Sequence, residues 1–391
     1  MFKNFVLTFG MLIFGLFIFT RCANDDAAKQ QSFSLLRDSV KNVYAPDKRV
    51  ALFTIELDRE EDSWVLTGDS DQPEAVAVLR ASLIKQGIEV EDKVHMLPDS
   101  TVGDSSYAIV NNSVANIRSD SRHSSELATQ ALLGMKLKVL KRLEEWYLIQ
   151  TPDDYISWVD HGGVQLMTSS EQLRWSKMPQ IIYMNNYGNV YQDEEETAIV
   201  SDIVLGGRLV KLGESSQYYK VSYPDLRVGF VRKSEASDFQ DWREGVEPSG
   251  EQVISYAQSL LGSPYLWGGT STKGMDCSGF TKTAYLMNGY IIPRDASQQV
   301  NAGEVVDPDL NFEGLEKGDL LFFGRFATDS TSQRVTHVGL WMGDSSFIHA
   351  SKQVRISSVD PESPNYDEFN KSRYLGSRRY LGNEKGITKW Y

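Results

Sequence analysis

Cys277 is the residue in this sequence best placed for covalent chemistry. It stands in GMDCSGF, residues 274–280, just before a run from Thr281 to Met287 that suits a helix. A thiolate is the nucleophilic form of cysteine, and a helix N-terminus favours it through free backbone N–H groups and the helix dipole. Gly268, Gly269 and Gly274 leave backbone room in front of the sulfur. Such a nucleophile needs a general base, usually a histidine. The candidates are His337 in VTHVGLW, residues 335–341, and His349 in SFIHA, residues 346–350. Without this setting a lone cysteine reads as a small buried hydrophobe. His95, His123 and His161 have no comparable context and read as surface or structural residues.

The elements that must position these groups can be read from the pattern around them. From Glu251 the apolar positions Val253, Ile254, Ala257, Leu260 and Leu261 follow helical spacing. The segment GSPYLWGG, residues 262–269, is a loop leading to the Cys277 helix. The two histidine segments read as strands. Met342–Ser345 joins them as a hairpin, so His337 and His349 fall on neighbouring strands where one can orient the other.

On these residues the region 247–383 resembles the NlpC/P60 peptidases, papain-like cysteine hydrolases of cell-wall peptides. The matching pieces are YLWGG (265–269), DCSG (276–279), PRD (293–295), KGDLLFF (317–323), THVG (336–339) and FIHA (347–350), in the family's order and spacing. The resemblance implies Cys277 as nucleophile, His337 as the base that also protonates the leaving amine, and His349 as the residue orienting His337. It implies Tyr265 beside the Cys277 backbone N–H at the oxyanion. It also implies Asp276, Ser278 and Asp295 as the substrate subsite. Some members carry a serine after that last aspartate; here the residue is Ala296.

Two segments before this region have short strands, frequent turns and no helical periodicity, as small barrels do. They span 103–170 and 178–240. SVANIR (113–118), EWYLIQ (145–150) and DYISWV (154–159) in the first, with GNVY (188–191), YYKVS (218–222) and RVGFV (227–231) in the second, resemble bacterial SH3 (SH3b) domains. The combination is similar to enzymes that cut the γ-D-glutamyl–L-diamino acid bond of peptidoglycan stem peptides. In several of these the first SH3b domain closes the subsite so that only a free N-terminal L-alanine enters. Glu126 and Tyr155 match the glutamate and tyrosine that hold that amine. A buried ammonium needs carboxylate partners, and Glu126, Asp276 and Asp295 could supply them.

Residues 27–98 read as a small α/β unit. A helix is expected over Ser34–Val40, strands over Arg49–Leu57 and Ser63–Gly68, a helix over Pro73–Gln86 and a strand over Val90–Met96. The order resembles the BON-type domain of envelope proteins, which implies docking and not chemistry. The expected fold class is therefore α+β and multidomain: a papain-like domain preceded by two small barrels and a BON-like domain.

Phe5–Phe19 is an uncharged apolar run of 15 residues preceded by Lys3. As a helix it would be about 22 Å long, short of a ~30 Å hydrocarbon core. Residues 1–22 resemble a bacterial lipoprotein signal with Cys22 as the lipidated residue, although Arg21 stands where that pattern wants a small residue. An ordinary cleaved signal and an uncleaved anchor helix are the other readings. All three export the remainder and the first and third tie it to a membrane.

The chain has 391 residues, 41% of them hydrophobic, which supplies several cores and excludes bulk disorder. Its net charge of −13 makes it a poor candidate for non-specific binding to nucleic acid, a local basic patch aside. With only Cys22 and Cys277, a disulfide framework and a cysteine-rich zinc site are excluded. No segment has metal-ligand spacing, so no metal or other cofactor is expected. Two other readings of the chain are a wall-binding scaffold with a residual catalytic domain, and an amidase or acyltransferase on the same fold.

Overall fold

The structure, a computed structural model, describes residues 5–61 and 63–390. The side chains of residues 5–24 lie outside that description, so the lipidation expected at Cys22 falls outside the described residues. The chain divides into two compact units, the first ending at Asp99 and the second beginning at Ser100.

In the first unit a single helix, α1, runs over Phe5–Tyr44. It is far longer than the helix expected over Ser34–Val40. No glycine or proline interrupts residues 16–44, and the polar stretch after residue 24 is rich in Ala, Lys and Gln, which lose little in a helix. Pro46 then stops it. Phe33 and Val40 are buried, with Leu36 packed beside them, against Ile55, Leu57, Leu66 and Leu79.

Strands β1 (Phe53–Glu60) and β2 (Ser63–Ser70) form a hairpin. Helix α2 (Pro73–Lys85) follows, and β3 (Val90–Asp92) and β4 (His95–Met96) return parallel to β2. The α-β-β-α-β order is the expected one, but the first strand starts four residues later than its alternation suggested. The Asp47 carboxylate accepts from the Arg49 backbone N–H at 3.0 Å and from its Nε at 2.8 Å, and this turn occupies the start of the apolar run.

The second unit holds two seven-stranded antiparallel sheets, one within residues 107–167 and one within 180–238, covering the two segments read as barrels. Helix α3 (Gly250–Ser259) follows, capped by the Ser249 side chain, and then α4 (Cys277–Leu286). A six-stranded sheet is built from β5 (Glu304–Val305), β6 (Leu320–Arg325), β7 (Arg334–Gly343), β8 (Ser346–Ser351), β9 (Gln353–Ser358) and β10 (Tyr374–Arg379). Its order is β5-β10-β6-β7-β8-β9. The β7–β8 hairpin turns through Asp344 and Ser345, both at positive φ (49° and 56°), as a two-residue hairpin of this hand requires.

One apolar cluster joins the first seven-stranded sheet (Ile117, Leu137, Val159) to α4 and the six-stranded sheet (Phe280, Ala284, Val338, Ile348). The unit continues past residue 383. Thr388–Lys389 pairs with Tyr290–Ile291, and Trp390 packs edge-on against Trp242.

Candidate active site

Asp276 caps α4. Its Oδ1 accepts from the Gly279 N–H at 2.7 Å and from Ser278 Oγ at 3.2 Å, which fixes Cys277 as the first helical residue. The glycines on either side of it in the chain are there for close approach. A Cβ on Gly279 would lie 2.0 Å from the Gly269 carbonyl oxygen, and one on Gly268 2.0 Å from that of Leu127. Gly268 also has φ +78°, so the turn before the nucleophile is left-handed.

Cys277 is only 8% exposed. Burial, with the Asp276 charge beside it, pushes its thiol up to about 12, although the backbone N–H groups of Val338 and Ser278 and the Arg294 charge act the other way. Burial works against the thiolate that the helix N-terminus favours. Desolvation outweighs the dipole.

The two histidines meet as the hairpin required. His337 Nε2 lies 2.7 Å from His349 Nδ1 across β7 and β8. His349 Nε2 lies 3.0 Å from Ser357 Oγ on β9, and Ser357 Oγ donates to Asp367 Oδ2 at 3.3 Å. Only one set of proton positions satisfies this chain and leaves His337 basic. His337 Nε2–H donates to His349, His349 Nε2–H donates to Ser357, and the Ser357 hydroxyl donates to Asp367. His337 Nδ1 then carries the free lone pair. Burial holds His337 well below 6.5 and His349 down at about 4, with nearby arginines adding to the effect in both. Burial thus works against the charged form of the thiol and of both imidazoles.

On the far side of α4, Arg294 grips Asp276 with Nη1 at 3.0 Å and Nη2 at 2.6 Å. Arg294 Nη1 also donates to Ser278 Oγ at 3.0 Å, and its Nε reaches Thr129 Oγ1 at 3.0 Å on the first seven-stranded sheet. Burial opposes the charge of Arg294, but Asp276 and Asp295 more than offset it and raise its pKa. Asp276 also accepts from the Gly268 N–H at 3.0 Å, so both its oxygens are engaged within the protein.

The same sheet continues the wall. Gln130 Oε1 accepts from the Thr270 N–H at 2.9 Å and from Ser271 Oγ at 3.0 Å. Asp153 pairs with the buried Lys282 of α4 at 2.7 Å.

The remaining expected residues fall around this centre. Tyr265 lies half-buried near Cys277, and burial with the Cys277 and Asp276 charges raises its hydroxyl pKa. Asp295 Oδ1 is 3.9 Å from Arg294 Nη1 and partly exposed. Tyr155 is 8% exposed and close enough for its charge to act on Arg294. Glu126 is exposed and accepts from Trp267 Nε1 at 2.5 Å. Ala296 begins the short helix Ala296–Gln299. His95, His123 and His161 have largely exposed side chains.

Beyond the wall residues, four residues with a place here were not singled out from the sequence: Arg294, Ser357, Asp367 and Arg373, whose charge acts on both histidines. Arg294 had a signal, because an arginine between Pro293 and Asp295 beside an acidic subsite must find a partner. The other three come from strands and turns whose pairing only the fold reveals.

The NlpC/P60 family description matches residues 262–379, and that of the bacterial dipeptidyl-peptidase Sh3 domain matches residues 117–163. A gamma-D-glutamyl-L-lysine dipeptidyl-peptidase of Bacillus cereus is 31% identical over 268 residues, covering 66% of this chain and 77% of that protein. The chain belongs to the NlpC/P60 family. Dipeptidyl-peptidase 6 of Lysinibacillus sphaericus is 28% identical over 275 residues, 66% of this chain and 94% of that protein. The crystal structure of an NlpC/P60 family protein from Bacillus cereus superposes with a TM-score of 0.58 at 26% identity, over 71% of this chain and all of that one. The NlpC/P60 match contains Cys277, His337, His349, Arg294 and Asp367, and the Sh3 match contains Glu126, Thr129, Gln130 and Tyr155.

Proposed function

We propose that this chain is an exported cysteine endopeptidase. It hydrolyses the γ-D-glutamyl–L-diamino acid bond of peptidoglycan stem peptides that carry a free N-terminal L-alanine. The observation that carries the reading is a buried helix-start cysteine that meets the backbone N–H of Val338, next to His337, whose imidazole is in turn held by a second histidine. Relatives named for the γ-D-glutamyl-L-lysine bond support the substrate class.

The chemistry follows from the resting protonation. Cys277 Sγ attacks the γ-carbonyl carbon as His337 Nδ1 takes the thiol proton, so thiolate forms only as it is consumed. The Cys277 backbone N–H and the Tyr265 hydroxyl face the oxyanion. The tetrahedral intermediate collapses, the C–N bond breaks, and His337 returns the proton to the leaving α-amine. Water then attacks the thioester, again giving its proton to His337, and the L-Ala-γ-D-Glu acid leaves with the thiol restored.

The acids match the free-amine requirement in kind: Asp276 pairs with Arg294 and Asp153 with Lys282, while the exposed Glu126 accepts from Trp267. An ammonium is a better partner than an acetylated terminus for a carboxylate there.

Hydrolysis of L-Ala-γ-D-Glu-meso-diaminopimelate and its N-acetylated form, followed by mass spectrometry, tests this reading. Cleavage of the free peptide alone is the expected result. Equal cleavage of both removes the amine requirement, and cleavage of neither removes the peptidase. We also propose Cys22 as a lipid attachment point, with the first unit as a docking module at the cell envelope. Metabolic labelling with a fatty acid, lost in Cys22→Ala, tests the anchor.

A further inference from the structure

Arg373 is an ordered arginine beside the reaction centre that the mechanism above does not use. It lies between the short helix Glu368–Lys371 and β10. The buried Asn370 holds it through one oxygen, accepting from Nε at 3.2 Å and from Nη2 at 2.9 Å. Its Nη1 donates to Thr336 Oγ1 at 3.0 Å, and its guanidinium carbon sits 4.3 Å from the centre of the Phe369 ring.

Thr336 is the residue next to His337. Phe323 pairs with His337 and Gly324 with Val335, so Thr336 is the extra residue of a bulge at that point of β7. Bulges re-aim side chains next to active sites. Here the bulge brings Arg373 to the base, and its charge acts on His337, His349 and Cys277.

Three of the five N–H groups of Arg373 have partners. One remains on each Nη nitrogen, the pair that takes a carboxylate in a two-pronged grip. Among the described residues no carboxylate lies within 4 Å of this guanidinium. Arg294, whose charge also acts on Cys277, is closed by Asp276 at 2.6 Å. One arginine is internally neutralised on the side of the proposed amine subsite. The other is held in place beside the base with no carboxylate in contact, and Asp367 acts on it only from beyond 4 Å.

We propose that Arg373 binds the α-carboxylate of the leaving L-diamino acid, making the enzyme selective for stem peptides that end at that residue. This rests on the peptidase reading above. A rigid guanidinium in a half-buried site gives its full return only to a fixed anion, and the α-carboxylate stands on the carbon that bears the leaving nitrogen. A peptide continued by D-alanine has an amide there and loses one charge-assisted contact.

The test uses the full chain and three peptides: L-Ala-γ-D-Glu-L-Lys, the same with the lysine α-carboxamide, and the same with the D-Glu α-carboxylate amidated. Wild type is expected to favour the free acid over the lysine amide by about tenfold in kcat/KM, mostly through KM. Arg373→Gln is expected to bring that ratio to about one, and Arg373→Lys to keep part of it. Equal use of the acid and lysine amide by wild type overturns the proposal without any variant. So does an Arg373→Gln enzyme that is slower on both with the ratio kept, which makes Arg373 a structural brace. A ratio that changes at the D-Glu amide instead puts the carboxylate on the acyl side and also overturns it. Failure of wild type to cut any of the three defeats the peptidase reading itself, a result distinct from the others.

Discussion

His337 Nε2 and His349 Nδ1 lie 2.7 Å apart, and that hydrogen bond decides which nitrogen of His337 can be the base. It ties up Nε2 and leaves Nδ1 for the thiol proton. His349→Ala is expected to lower kcat by roughly 10²–10⁴, the range general acid–base catalysis contributes. Ser357→Ala is expected to lower it less, because β8 still holds the His349 ring in place. Steady-state kinetics checks both; an unchanged kcat in His349→Ala would mean that the second imidazole merely packs.

The same two histidines make stability depend on pH. Their folded pKa values are depressed, His349 to about 4, against an unfolded value near 6.5. Their contribution is therefore fully present above pH 6.5 and is lost as pH falls through the folded values. Melting temperature is expected to drop between pH 6.5 and 4, and to drop less in His349→Phe. Scanning calorimetry across that range reads the effect, and identical profiles for the two proteins would refute it.

The buried thiol sets the reactivity of the free enzyme. With Cys277 pushed up to about 12 and His337 lowered, a resting thiolate–imidazolium pair is disfavoured. Iodoacetamide labelling of Cys277 is expected to rise steadily with pH through 8 and above. A labelling plateau already reached near pH 6 would reveal a resting ion pair and a different proton inventory.

How far the sequence foretold this site can be argued residue by residue. Cys277 and the β7–β8 hairpin were legible because each rests on local pattern: glycines before a helix start, and two apolar strands across a short turn; Asp276 was expected at the substrate and is instead the helix cap. Ser357, Asp367 and Arg373 were not, since they reach the histidines only through the pairing of β8 with β9 and the bulge at Thr336. The burial that opposes the thiolate was not legible for a related reason. A helix dipole is visible in sequence; the burial that overrides it is a property of packing. In the first unit, β1 was expected too early because the Asp47 turn competes for the first residues of the apolar run.

The Asp276–Arg294 pair is a structural prediction as well as a chemical one. Both side chains are buried, and each is the other's main compensation. Removing one charge from such a pair costs about 3–5 kcal/mol. Arg294→Met and Asp276→Asn are each expected to destabilise the second unit by that order in denaturant unfolding. The double variant should cost less than the sum, because it leaves no lone buried charge. Strict additivity would mean that the two groups are not coupled.

The central claim is that Cys277 carries the acyl group during turnover. Acid quenching of the full chain during hydrolysis of L-Ala-γ-D-Glu-L-Lys, followed by peptide mass mapping, measures this directly. The account predicts an L-Ala-γ-D-Glu thioester on the peptide containing Cys277, with neither adduct nor turnover in Cys277→Ala. Turnover that persists in Cys277→Ala would contradict it.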